Sequence, residues 1–75
     1  PSGERFAPAR RHGYAKADVD ALMNRIAAYF DSEEPLTSAE VRTAVFGTAR
    51  GAKAYDESSV DRYLARVVEV VFSVE

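Results

Sequence analysis

Cysteine and tryptophan are absent from this chain of 75 residues, and methionine and histidine occur once each. The lack of cysteine excludes a disulfide-bonded scaffold and any thiolate metal site. With His12 as the single histidine, the sequence offers neither a histidine metal cluster nor a credible Ser-His-Asp set. We therefore expect no catalytic residues, no metal, no cofactor and no enzymatic activity.

Long apolar runs are absent as well. The longest are a few residues, whereas a helix that crosses a bilayer needs roughly 20. The hydrophobic fraction of 47% is that of a globular protein, and the length allows one small domain. A net charge of −2 argues against a nucleic-acid partner.

The chain contains one short sequence motif in two copies. GYAKADVD begins at Gly13 and AYDESSVD begins at Ala54, and each places a tyrosine five residues before a Val-Asp pair. When Tyr14 is aligned with Tyr55, these pairs of residues also match: Val19/Val60, Asp20/Asp61, Met23/Leu64, Arg25/Arg66, Ile26/Val67, Phe30/Val71 and, with a slip of one residue, Phe6/Phe46. The pattern predicts a single domain over 1–75 made of two repeats, at about 6–30 and 36–73, joined by an acidic linker at 31–35.

The segment after each Val-Asp pair has helical periodicity. Apolar residues recur at steps of four, three and four in both repeats, namely Val19, Met23, Ile26 and Phe30, then Val60, Leu64, Val67 and Val71. VVEVVFSV is rich in β-branched residues, but the same spacing continues through it and favours a helix. Asp56 stands where the last helix needs an N-cap, whereas Ala15 occupies the aligned position of the first helix.

A third, shorter helix is predicted between these two. Thr37 and Glu40 have the spacing of a capping box, and Leu36 and Val41 have that of a hydrophobic staple. We expect this helix to run from Ser38 to about Phe46 and to end at Gly47.

The predicted fold is therefore all-α: two tandem loop-helix units with a short capped helix between them. A short helix with one apolar stripe needs a partner. The two long helices would pair as a parallel, coiled-coil-like pseudo-dimer within one chain, or two chains would associate as a homodimer.

Positive charge is concentrated just ahead of each tyrosine. Arg10, Arg11 and His12 precede the first, and Arg50 and Lys53 precede the second. Solvated turns are the simplest interpretation of these loops. The alternative is contact with an anionic membrane surface, where each cation contributes roughly 1 kcal/mol.

The order of phenylalanine, basic loop, Gly-Tyr, Val-Asp and apolar heptad resembles the DivIVA family of bacterial cell-division and polar-growth proteins, including its GpsB branch. LTSAEVRTAVF resembles the short first helix of the family unit, GTARGAKAYDESSVD its loop, and RYLARVVEVV the start of its long helix. The resemblance implies a tandem repeat of this unit. Ala54 departs from the family's glycine, and neither loop carries the family's large apolar tip residue.

The resemblance also implies a partner-binding groove. In the GpsB branch a tyrosine and helix acids bind arginine-bearing peptides, and the matching residues here are Tyr14, Asp20 and Asn24 in one repeat and Tyr55 and Asp61 in the other. The simpler interpretation is that the tyrosines cap the helices and that the carboxylates are solvated or paired internally.

Three functions follow as expectations. The first is a cytoplasmic scaffold that docks protein partners of cell division or wall synthesis. The second is a peripheral binder at the inner face of the cell membrane, through Arg10, Arg11, His12, Arg50 and Lys53. The third is a structural oligomerisation segment of a longer protein.

Overall fold

Three short β-strands stand where the sequence predicted loops. In the computed structural model of the chain, which describes residues 6–7 and 9–75, β1 spans His12–Ala15, β2 spans Thr48–Arg50 and β3 spans Ala54–Tyr55. They form an antiparallel sheet in the order β2-β1-β3. The prediction of an all-α fold is therefore wrong, and the fold is mixed α and β. Residues 1–5 and 8 of the predicted domain lie outside the described residues.

The two tyrosines of the repeat meet in this sheet. Tyr14 of β1 and Tyr55 of β3 are direct cross-strand partners. Gly13 permits this pairing, because a Cβ atom there would stand 2.1 Å from the Tyr55 carbonyl oxygen. The segments that contain and precede the two tyrosines are extended because their backbone N–H and C=O groups hydrogen-bond across the strand pairs.

The long helices follow the strands directly. Helix α1 spans Lys16–Ser32 and helix α3 spans Glu57–Ser73, so VVEVVFSV is helical as far as Ser73, as predicted. Helix α1 includes Asp31 and Ser32, which the sequence predicts to lie in the linker, and ends at Glu33 in a left-handed conformation with φ 58°. A 3-10 turn, Gly51–Lys53, separates β2 from β3.

Helix α2 spans Ser38–Arg42. Both bonds of the predicted capping box are present: the Thr37 side chain accepts from the Glu40 backbone N–H, and the Glu40 carboxylate accepts from the Thr37 N–H. The predicted end near Phe46 is wrong. The chain leaves the helix at Thr43, which lets Phe46 reach the Tyr14 ring at a centroid distance of 5.0 Å.

The N-caps of the two long helices are those that the sequence predicts. The Asp56 side chain accepts from the Ser59 N–H, whereas Ala15 provides no side-chain cap. The two cap positions nevertheless have nearly the same backbone, φ −60° and ψ 126° at Asp56 and φ −59° and ψ 126° at Ala15.

One core lies between the helices and the sheet. The α3 stripe is entirely buried, whereas Phe30, the last residue of the α1 stripe, is 52% exposed. The core cluster consists of Val19, Ile26, Leu36, Val41, Tyr55, Val60, Leu64, Val67 and Val71. Both repeats therefore contribute to the same apolar interior.

Candidate docking groove and basic end

Each tyrosine of the repeat hydrogen-bonds the aspartate of the other repeat. The Tyr14 hydroxyl donates to Asp61 Oδ1 at 2.7 Å, and the Tyr55 hydroxyl donates to Asp20 Oδ1 at 2.8 Å. The bonds are exchanged because Tyr14 and Tyr55 face each other across antiparallel strands, so that each side chain lies over the helix that follows the other strand. The structure thus brings together four of the five residues proposed from sequence for partner binding.

The phenylalanines that precede the tyrosines are exchanged in the same way. Phe6 of the first repeat packs edge-on against Tyr55 of the second, with centroids 5.2 Å apart, and Phe46 of the second packs against Tyr14 of the first. Two backbone hydrogen bonds also join one repeat to the other: Ala15 N donates to Gly47 O and Asp56 N donates to Ala7 O, both at 2.8 Å. Matching residues of the two predicted repeats therefore make matching contacts.

The two Tyr-Asp pairs differ in access. Tyr55 is only 1% exposed, because Phe6 covers its ring and Lys16 Nζ lies 5.2 Å from the ring centroid. Tyr14 is half-buried, and its partner Asp61 is exposed. Only the Tyr14-Asp61 pair is therefore placed to meet another molecule.

A groove of about 450 Å³ runs beside this accessible pair, between α3 and the segment that follows α2. Its apolar wall comprises Val41, Val45, Phe46, Leu64 and Val68. Asp61 and Tyr14 border it, as does Arg42. We call this cleft the Tyr14 groove. It combines an apolar surface with an exposed carboxylate, a combination suited to an amphipathic chain with a cationic group.

Two carboxylates, Asp61 and Glu57, act on the Tyr14 hydroxyl. The hydrogen bond to Asp61 raises the pKa of Tyr14 to about 12, assisted by burial and by the charges of Asp61 and Glu57. Glu57 and Asp61 lie four residues apart on α3 and so face the same side. Of these two carboxylates, Asp61 borders the groove, so a cation bound there would meet the Asp61 carboxylate.

Asn24, the fifth residue proposed for partner binding, lies elsewhere. It is exposed on α1 and borders a separate cleft with Arg25, Ala28 and Pro35. The residue that corresponds to it in the second repeat is Ala65, which does line the Tyr14 groove. The structure therefore does not place Asn24 at the accessible pair.

The two basic loops converge at one end of the sheet. His12 and Arg50 are cross-strand partners, and Gly51 N donates to Arg11 O at 2.9 Å. Arg10 and Lys53 flank these strands, and all five side chains are exposed. We call Arg10, Arg11, His12, Arg50 and Lys53 the basic end. The repeat placed these residues in two loops, but only the strand pairing shows that they form one surface.

Sequence reasoning missed Val45, which the structure leaves 90% exposed at the groove. The sequence predicts a longer α2, in which Val45 would be an ordinary helical residue. The available signal was the run Val45-Phe46-Gly47, because a β-branched residue and an aromatic ahead of glycine are poor helix formers.

A scan against protein-family models gave no match to this chain, and searches of curated proteins and of solved structures gave none either. The resemblance to the DivIVA family thus rests on the residues quoted above. No helix in the described part of the chain is both long and apolar enough to cross a membrane. Within residues 6–7 and 9–75, no group of three or more His, Cys, Asp or Glu side chains is arranged to hold a metal ion.

Proposed function

We propose that this chain is a non-enzymatic docking module that binds an arginine-bearing peptide of a protein partner in the Tyr14 groove. The observation that carries the proposal is the exposed Asp61 carboxylate, held by the Tyr14 hydroxyl at the border of an apolar cleft. Among the described residues, Tyr14 is the only hydrogen-bond partner of that carboxylate. A carboxylate has about four acceptor sites, so it retains capacity for a guanidinium.

The groove favours arginine over lysine on physical grounds. A guanidinium is planar, forms paired hydrogen bonds with a carboxylate and stacks on aromatic rings. The Tyr14 and Phe46 rings stand beside the Asp61 carboxylate and offer such faces. Val45 and Val68 would contact apolar residues of the same peptide.

The test measures peptide affinity by fluorescence polarisation. A peptide with one arginine among apolar residues should bind, and its citrulline counterpart should bind at least about tenfold more weakly, because a hydrogen bond to a charged group contributes roughly 1.5–3 kcal/mol. Asp61→Asn should weaken binding similarly and leave the circular dichroism spectrum unchanged. Glu69→Gln removes the same charge from an exposed site elsewhere on α3 and is the matched control. Equal weakening by both variants, or loss of the fold in Asp61→Asn, would contradict the proposal.

The cellular setting proposed here follows from the DivIVA resemblance: a cytoplasmic scaffold for partners in cell division or wall synthesis. Pairing of the two repeats within one chain is supported by the exchanged Tyr-Asp bonds. A monomer mass that does not change with concentration, measured by light scattering, agrees with internal pairing, whereas a stable dimer would indicate association between chains.

A second candidate function is binding to an anionic membrane surface at the inner face of the membrane. The observation that favours it is the convergence of five basic residues at one end of the sheet. Co-sedimentation with anionic vesicles, lost as salt rises and absent with neutral vesicles, would support this candidate. Lack of binding to both kinds of vesicle would remove it.

A further inference from the structure

The outer edge of β2 is a free sheet edge. In antiparallel strands, facing residues alternate between pairs that exchange hydrogen bonds and pairs that do not. Gly51 N donates to Arg11 O and Ala15 N donates to Gly47 O, so the facing pairs at these positions and at Gly13 and Ala49 are the bonded ones. The backbone groups of Thr48 and Arg50 therefore point away from β1, towards the outside of the sheet.

Three of these outward groups, the N–H and carbonyl of Thr48 and the N–H of Arg50, have no partner in the described part of the chain. The Arg50 carbonyl instead begins the 3-10 turn Gly51–Lys53, of which Arg50 is the N-cap. Within residues 6–7 and 9–75, no hydrogen bond outside the sheet involves the main chain of Thr48 or the N–H of Arg50, and both residues are exposed. The opposite side of the sheet differs, since Ala9 N donates to Ala54 O and Asp56 N donates to Ala7 O. The edge at β3 is thus covered, and the edge at β2 is open.

The charge around the open edge is positive. Arg50 belongs to the edge strand, His12 faces it across the β1-β2 pair, and Arg11 adjoins it through the bond to Gly51. None of the side chains of Arg10, Arg11, Arg50 and Lys53 has an ion pair with another described residue. A second copy of this chain would bring like charges together at the edge, which disfavours pairing of β2 with β2.

We propose that the β2 edge binds an extended acidic segment of a partner protein, which adds to the sheet as a further strand. Backbone pairing supplies a donor and an acceptor for the two groups at Thr48 and an acceptor for the Arg50 N–H, and glutamate or aspartate side chains of the segment face Arg50 and the neighbouring basic end. A lipid headgroup phosphate accepts hydrogen bonds but donates none to the outward Thr48 carbonyl. Thr48 faces Tyr14 across the β1-β2 pair, but neither Thr48 nor Arg50 lines the Tyr14 groove, so the two sites have different lining residues.

The test is a titration of the isotope-labelled chain, followed by NMR. The probe is a short peptide that alternates glutamate with threonine. The control peptides are the same sequence with alternate backbone nitrogens methylated, which keeps the charge but removes the strand donors, and a version with lysine in place of glutamate. The expected result is slowed amide exchange at Thr48 and Arg50 with the acidic peptide only, and at least about tenfold weaker binding of the methylated peptide.

Variants separate edge binding from general charge attraction. Arg50→Glu should weaken binding of the acidic peptide about tenfold, because a favourable cross-strand pair becomes a repulsive one. Arg66→Glu makes the same charge change at an exposed site on α3 and should have little effect. Arg50→Gln is the second variant if Arg50→Glu alters the circular dichroism spectrum, and it should weaken binding in the same direction.

Two results would overturn the proposal. The first is equal binding of the methylated and unmethylated acidic peptides without amide protection at Thr48, which would show that the surface responds to charge alone. The second is binding to phosphatidylglycerol vesicles with no binding of the acidic peptide, which would assign the basic end to a membrane surface.

Discussion

Replacement of Gly13 by alanine tests the close approach of β1 to β3. The added Cβ would lie 2.1 Å from the Tyr55 carbonyl oxygen, 3.1 Å from the Tyr55 carbonyl carbon and 3.2 Å from the Ala9 side chain. Ordinary contacts between carbon and oxygen are about 3.3 Å or longer, so β1 and β3 must separate by roughly 1 Å. The obstacle is backbone and cannot rotate away as a flexible side chain would.

The expected loss of stability can be estimated from the contacts that the separation of β1 and β3 would disrupt. Overpacking costs about 1–3 kcal/mol, and each weakened backbone bond between Tyr14 and Tyr55 adds up to about 1 kcal/mol. We therefore expect Gly13→Ala to lower the free energy of unfolding by about 3 kcal/mol. For a domain of this size, a loss of 3 kcal/mol lowers the melting temperature by about 12–24 °C.

Thermal and urea unfolding, followed by circular dichroism, measure this loss. Gly51→Ala is the matched control, because Gly51 has φ +56° but no atom within 4 Å of an added Cβ. It should cost only about 1 kcal/mol, the strain of a left-handed alanine. If Gly13→Ala stayed within about 0.5 kcal/mol of the unmodified chain, or cost less than Gly51→Ala, the close pairing of β1 with β3 would be refuted.

Three further predictions concern the hydrogen bonds of the fold. Tyr55→Phe should cost about 1–2 kcal/mol in urea unfolding, and more than Tyr14→Phe, because the Tyr55 hydroxyl is buried and its loss leaves the Asp20 carboxylate without that donor. Ala15→Ser should stabilise the chain by about 0.5–1 kcal/mol, since Ala15 has the backbone of an N-cap but no capping side chain; no gain in melting temperature would contradict this. In absorbance titrations one tyrosine should ionise only near pH 12 in the unmodified chain, and Asp61→Asn should lower that pKa towards 10. Because the raised pKa of Tyr14 favours the neutral phenol, this bond stabilises the fold below about pH 10 and is lost as the pH rises through about 12.

The helices could be predicted from sequence because their signals are local. The capping box at Thr37 and Glu40, the cap at Asp56 and the stripe of α3 all lie within a few turns of chain. The sheet could not be predicted in this way. Its strands are two to four residues long and show no alternation, and they pair Tyr14 with Tyr55, 41 residues apart. The repeat pointed to these tyrosines but did not indicate that they face each other.

The candidate site was likewise only partly predictable from the sequence. The repeat identified Tyr14, Asp20, Tyr55 and Asp61, but the sequence could not show that the pairs are exchanged or that Tyr55 is buried. Two copies of one motif became different surfaces because Phe6 covers one tyrosine, whereas Phe46 leaves the other beside an open groove. Such differences arise from tertiary contacts that no short window of sequence contains.

The exchanged bonds also bear on how the chain folds. Neither repeat can form its Tyr-Asp bond alone, because Tyr14 needs Asp61 and Tyr55 needs Asp20. The first half that leaves the ribosome therefore lacks its partner strand and part of its core until the second half has been synthesised. Contacts of such long sequence separation slow folding. We therefore expect the two halves of the chain to fold together, although the sequence repeats one pattern twice.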